Sequence, residues 1–196
     1  LACLLADVVC VPVPEFFSKS QFHHLRRTAG LDCLLFSGER PDSLLMGHGV
    51  WLQQLSVAPG YALMPEQTAK ITFTSGSTGT PKGVCLSAAQ MAATTGALQE
   101  RLAGVSLRHH LCILPLATLL ENIAGVYLPL VMGATVSVAP LHSLGMTGSS
   151  GLDLERLVAG INQHQPDSLI LVPELAMALV NSAEQGRLDG ASLRFL

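Results

Sequence analysis

The sequence predicts an α/β fold, with a mostly parallel sheet flanked by helices on both faces. Three observations lead there. Short apolar runs alternate with stretches of helical spacing along most of the chain. The runs are apolar at successive positions, as strands covered on both faces must be. Segments of ten or more residues separate most of them, which is the length of crossover that parallel neighbours need.

Taken in order, residues 1–6 read as the last turns of an apolar helix, and residues 8–11 as a β-branched strand bounded by Pro12 and Pro14. A helix begins at Ser18, where Ser18 and Gln21 have capping-box spacing, and stops at Gly30. Residues 31–36 form the next strand. Residues 38–65, rich in Gly and Pro, read as a loop carrying a short helix or two around Leu44 and Trp51. Residues 69–74 are a strand, with residues 83–86 as its partner across the intervening turn. Ser87 caps a helix running to about Ala103, with Gly104 at its end. A strand follows at 111–114, then a helix at 119–132 interrupted by Pro129, then a strand at 134–139. Residues 153–164 are amphipathic, residues 168–172 a strand, and Pro173 opens a helix that Gly186 ends. The chain closes on a strand at 192–196. Both ends look cut inside elements, and the expectation is a fragment whose apolar faces the rest of its own polypeptide covers, with a complete small protein or an oligomer as the open alternative.

Composition narrows the function. Apolar residues make up 49% of the 196 and charged residues 13%, about half the ~25% charge of an ordinary soluble domain. A net charge of −3, 11 basic residues and no basic run leave no electrostatic footprint for nucleic acid. Five cysteines, widely spaced in apolar stretches, predict reduced buried thiols and a reducing cytoplasm. His23–His24 and His109–His110 are adjacent pairs, not the three- or four-residue spacing of ligands on one helical face. They predict solvated or capping histidines and no metal site. Residues 122–152 contain no Asp, Glu, Lys or Arg, but Gly125, Pro129, Gly133 and Pro140 punctuate them. Lipid would leave the broken backbone unpaired, so this is a buried helix and strand and no transmembrane span; peripheral contact with a membrane stays open.

The chemistry concentrates in one loop, within residues 72–84. Positions 74–83 contain only Gly, Ser, Thr, Pro and one lysine. Glycines let backbone N–H groups converge as an anion nest, Thr74, Ser75, Ser77, Thr78 and Thr80 add hydroxyl donors, and Lys82 adds a full charge. At an effective dielectric near 20, that charge about 4 Å from a phosphate oxygen is worth roughly 4 kcal/mol before desolvation. A Walker loop is the nearest competitor, since Gly76 and Lys82 are correctly separated. Pro81 stands where that loop needs glycine, however, and Gly83 stands where it needs the metal-binding hydroxyl. A strand after the loop, in place of a helix, is a second objection.

The run TSGSTGTPKGV resembles the phosphate-loop signature of the adenylate-forming superfamily, the acyl-CoA synthetases and their relatives. Leu114-Pro115-Leu116, Glu121, Gly125, residues 127–130 and residues 133–135 are similar to the segment of long-chain fatty acyl-CoA synthetases that lines the acyl side of the site. Residues 166–173 and 193–196 resemble the family's next strand, helix and strand. Thr118 stands where many long-chain members carry histidine, and Asn122 where arginine is usual.

The resemblance implies a parent enzyme whose large N-terminal AMP-binding domain includes residues 1–196, with the C-terminal domain absent. It implies ATP and CoA as co-substrates of a medium- or long-chain fatty acid, and Mg²⁺ whose ligand lies outside these residues. By the same resemblance Lys82 is the catalytic charge. Thr74, Ser75, Gly76, Ser77, Thr78, Gly79, Thr80 and Lys82 hold the nucleotide phosphates, and Thr118 lies near the acyl channel. The 196 residues alone are expected to be inactive. A reading from another class is a non-catalytic ATP- or pyrophosphate-binding module, or a degenerate interaction domain that kept the loop. Glu121 reads as a solvated or ion-paired helix residue, and Leu119, Ile123, Val126 and Leu130 as core.

Overall fold

The computed structural model describes residues 1–56, 64–74, 80–147 and 151–194. A short helix α1 (Ala2–Leu5) leads to a strand-like segment in which Cys10 bridges Lys70 in parallel. Helix α2 (Lys19–Ala29) starts where expected. Gln21 N donates to Ser18 Oγ at 3.3 Å, Ser18 N donates back to Gln21 Oε1 at 2.9 Å, and Gly30 ends the helix at φ 61°.

Within residues 38–65, expected as a loop with short helices, the described part departs from that reading, and residues 57–63 lie outside the described residues. The segments around Leu44 and Trp51 are strands β2 (Ser43–Gly47) and β3 (Val50–Gln54), and β3 also pairs with β1 (Cys33–Ser37) in an antiparallel sheet of order β1-β3-β2. The turn explains it: Gly47, His48 and Gly49 all have positive φ, so the chain folds back on itself as a hairpin.

Strands β4 (Thr68–Thr74) and β5 (Lys82–Ser87) form the expected antiparallel hairpin, with Thr74 opposite Lys82. Ile71 and Phe73 of β4 pack with fully buried Leu25 of α2 in one core. Ser87 then caps α3 (Ala88–Arg101) through a second capping box with Gln90, and the helix ends at Leu102, before Gly104.

Strand β6 (His109–Cys112) and β7 (Thr135–Val138) are parallel, joined by a helical crossover. Residues 167–168 lie along the other edge of β6. Ser168 bridges His110 in parallel, and Asp167 pins the start of β6 by accepting from Arg108 N at 3.0 Å and His109 N at 2.9 Å. Pairing stops at that bridge, so the strand expected at 168–172 is an extended run before helix α6 (Pro173–Glu184). Leu111 and Ile113 face Leu157 and Ile161 of α5 (Leu154–His164) and Leu175 and Leu179 of α6, forming the larger core. The α/β class holds, with parallel pairing where helices cross over and antiparallel pairing in the hairpins, which include the short β8 (Met146–Thr147) and β9 (Gly151–Leu152). Gly190–Ser192 is a 3₁₀ turn, so the strand expected from residue 192 does not begin there; residues 195–196 lie outside the described residues.

The crossover helix is wound differently from expectation. Glu121–Tyr127 is π-helical and runs without a break into α4 (Leu128–Val131), with Pro129 inside the first turn of the α segment. Proline has no N–H to give the preceding turn, and the wider winding accommodates it. The buried positions consequently become Glu121, Ile123, Gly125, Leu128 and Pro129, while Leu119 and Val126 are only half-buried and Leu130 is exposed. Of the four residues expected in the core, Ile123 alone is there.

Candidate functional site

The hairpin places the ends of the predicted phosphate loop side by side. Thr74 and Lys82 are cross-strand partners, Thr74 Oγ1 reaches the Lys82 carbonyl at 3.5 Å, and Thr74, Thr80 and Lys82 are all exposed. Ser75, Gly76, Ser77, Thr78 and Gly79 lie outside the described residues. The strand β5 after Lys82, where a Walker loop would need a helix, removes that competitor. Gly83 has a packing reason to be glycine: a Cβ there would sit 2.9 Å from Ile71 Cγ2 and 3.2 Å from Phe73 Cζ. His24 of α2 donates from Nε2 to the Pro81 carbonyl at 3.0 Å, tying the hairpin to the helix behind it.

A second feature is a cleft of about 1190 Å³ beyond the carboxyl ends of β6 and β7. Leu114 to Ala117 follow β6 into it, Val138 and Ala139 come from the end of β7, Val172 and Leu175 from the start of α6, and Val13 to Phe16 from the segment before α2. Open α/β sheets bind ligands in this position, and the mainly apolar lining suits an apolar group. Thr118 follows the lining residues directly. Its hydroxyl donates to the Pro115 carbonyl at 2.8 Å, holding the turn that carries Pro115, Leu116 and Ala117. Its hydrogen bonds join it to Pro115 and Asn122, not to the hairpin residues Thr74, Thr80 and Lys82.

Behind the cleft floor lies a polar group that sequence reasoning missed. His110 and Cys112 are two apart on β6 and share its face toward the crossover helix, where Glu121 and Gly125 meet them. Of the two readings of Glu121, solvated or ion-paired, burial removes the first, and the expectation of a solvated or capping His110 fails with it: Glu121 is 0% and His110 2% exposed. His110 Nε2 lies 3.6 Å from Glu121 Oε1, and its Nδ1 shares a 2.8 Å hydrogen bond with Ser168 Oγ. Cys112 Sγ donates to the Gly125 carbonyl at 3.6 Å, an oxygen that Pro129 cannot engage. Burial, and then the Glu121 carboxylate, push the Cys112 thiol above its ordinary range. The signal was in the sequence: Glu121 is the one charged residue between Arg108 and Asp153, and a lone carboxylate in an apolar run needs a partner.

A buried lysine lies nearby, and the cysteines depart from the expected buried thiols. Lys70 on β4 is 2% exposed and donates from Nζ to Asn122 Oδ1, and burial lowers its ammonium from the usual lysine range. Of the five cysteines, all free, Cys112 alone is buried; Cys33 is exposed because β1 has one open face.

A family model described as AMP-binding enzyme matches residues 1–196. The chain is 33% identical to long-chain-fatty-acid–CoA ligase 1 of Schizosaccharomyces pombe, over 65% of this chain and 18% of that protein. It is 30% identical to 4-coumarate–CoA ligase-like 2 of Arabidopsis thaliana, over 61% of this chain and 19% of that one. The solved malonyl-CoA ligase product complex with methylmalonyl-CoA and AMP shares the fold at a TM-score of 0.64 and 22% identity, over 94% of this chain and 38% of that one. The chain thus spans between 1% and 19% of the length of the curated relatives it matches.

Proposed function

Since the chain belongs to the AMP-binding enzyme family, we propose that the protein activates a carboxylic acid with ATP and passes the acyl group to the thiol of CoA. The acid's carboxylate attacks the α-phosphorus, pyrophosphate leaves, and the thiol then displaces AMP from the acyl adenylate. The observation that carries this reading is the β4–β5 hairpin, which sets Thr74 and Lys82 opposite each other at the two ends of the Gly/Ser/Thr run.

In such a step the protein's task is to position the reactants and to stabilise charge that develops on the departing phosphates. Lys82 supplies the charge, Thr74, Ser75, Ser77, Thr78 and Thr80 the hydroxyls, and Gly76 and Gly79 the backbone N–H groups. Mg²⁺ enters with the nucleotide. Residues 72–84 contain no carboxylate to hold it, so its protein ligand belongs elsewhere and no step is derived through it.

The cleft beyond β6 and β7 is the acid's binding place in this reading, with Thr118 supporting the turn that lines it. Its apolar walls favour a medium- or long-chain fatty acid. Among the described residues no helix is long and apolar enough to cross a membrane, and five free thiols fit a cytoplasmic setting. Exposed Leu44, Leu45 and Met46 on β2 suit contact with further protein surface.

The test is to give the intact protein ATP, CoA and acids of increasing chain length, and to follow acyl-AMP and acyl-CoA by mass spectrometry. Acyl-AMP that accumulates without CoA, and converts when CoA is added, supports the reading. Nucleotide binding without either product for any acid favours the non-catalytic module.

A further inference from the structure

We propose that His110, Cys112 and Glu121 form a buried binding site for one thiophilic divalent ion of the zinc class, which clamps β6 to the crossover helix. The site lies behind the cleft and does not depend on the adenylation reading. Its ligand atoms, an imidazole nitrogen, a thiol sulfur and a carboxylate oxygen, all lie within 4.8 Å of one another. All three residues are buried, and this is the one such group among the described residues.

Four observations support an ion. First, His110 Nε2 and both Glu121 oxygens are buried without a hydrogen-bond partner. A separation of 3.6 Å between Nε2 and Oε1 is too long for a direct hydrogen bond, and unpaired buried polar atoms carry a desolvation cost that coordination would relieve. Second, the outer ring nitrogen is already held: Nδ1 meets Ser168 Oγ at 2.8 Å, which aims Nε2 inward as an orienting partner does for a metal-bound histidine.

Third, the helix makes room. A Cβ at Gly125 would come within 2.9 Å of His110 Nε2 and 3.1 Å of Glu121 Oε1, so only glycine leaves that space open. The Gly125 carbonyl, 3.6 Å from Cys112 Sγ, stands beside the set as an oxygen for a fourth position. Fourth, the charges balance. A thiolate and a carboxylate neutralise a divalent ion with the imidazole neutral, which suits a buried site. Mixed nitrogen, sulfur and oxygen donors select zinc over magnesium or calcium. On binding, the Cys112 S–H proton leaves to solvent and the S–metal bond takes its place.

The experiment uses the intact protein, stripped by chelator and titrated with Co²⁺ and then Zn²⁺. One equivalent of Co²⁺ is expected to produce thiolate-to-cobalt charge-transfer absorption, which Zn²⁺ abolishes. Cys112→Ser should lose the band and Cys33→Ser should keep it. Ser168→Ala, which leaves every ligand in place, should weaken metal binding by about 10- to 100-fold. Should Cys112→Ser fail to fold, X-ray absorption of the zinc-loaded wild type decides: one sulfur with nitrogen and oxygen neighbours at about 2.0–2.3 Å is expected. Absence of the charge-transfer band, its survival in Cys112→Ser, or a zinc environment with no sulfur or several would overturn the proposal.

Discussion

His110 and Glu121 face each other across 3.6 Å with both side chains shut off from solvent, and Gly125 is the residue that lets them do so. The ring cannot swing aside easily, because Nδ1 is held by Ser168. Gly125→Ala therefore adds a methyl group where there is no space and should destabilise the fold by about 1–3 kcal/mol, the usual range for overpacking. Urea unfolding of the two proteins checks it. An unchanged midpoint would mean that the crossover helix shifts freely.

Lys70 makes stability depend on alkaline pH. Burial lowers its pKa in the folded state, while the unfolded chain keeps the ordinary value, 10.5. Between those two values the unfolded state binds more protons, so this group's contribution to stability rises with pH. Below the lowered value its penalty is fully present. Lys70→Met removes the buried charge, so the difference in stability between variant and wild type should shrink as pH climbs through that window. Denaturant titrations at neutral and alkaline pH would show it, and a pH-independent difference would refute it.

The cleft should read out as specificity. Ala117 is buried at its wall, and Ala117→Phe should fill part of it. If the intact protein activates acids as proposed, the expected result is a KM for long acids raised roughly 10-fold or more, with the KM for ATP unchanged. Equal changes in both would place the acid elsewhere.

The thiols should separate by access. Cys33 is exposed, though partial burial and then Asp32 raise its pKa, so it should be modified by iodoacetamide first and faster as pH rises. Cys112 should stay unmodified until the protein unfolds. Early loss of Cys112, seen by peptide mass mapping, would contradict the buried placement.

What was legible in the sequence was local. Ser18 with Gln21, Ser87 with Gln90, Pro173 at a first helical turn and Gly30 past a last one each declare a helix end through neighbours three or four residues away. The hairpin carrying Thr74 and Lys82 was equally plain, because two apolar strands flank one glycine-rich run. Residues 38–65 read as a loop with short helices around Leu44 and Trp51, whereas β2 and β3 depend on pairing with β1, well before them in sequence, and on three successive positive φ values that residue type only partly signals. The π winding before Pro129 moved the buried stripe off the α-helical period. Helical ligand spacing does not reveal His110, Cys112 and Glu121 as a group, because the fold draws two of them from a strand and one from the helix above it.

In the proposed function the residues between β4 and β5 grip the polyphosphate of ATP. Hydrogen exchange of the amides from Thr74 to Gly83 in the intact protein, with and without MgATP, tests it most directly, with Lys82→Ala run alongside. ATP or pyrophosphate is expected to protect those amides strongly, with the protection lost in Lys82→Ala together with about 100- to 1,000-fold of the acid-dependent turnover. Nucleotide binding that leaves these amides unprotected, or protects them equally in Lys82→Ala, would contradict it.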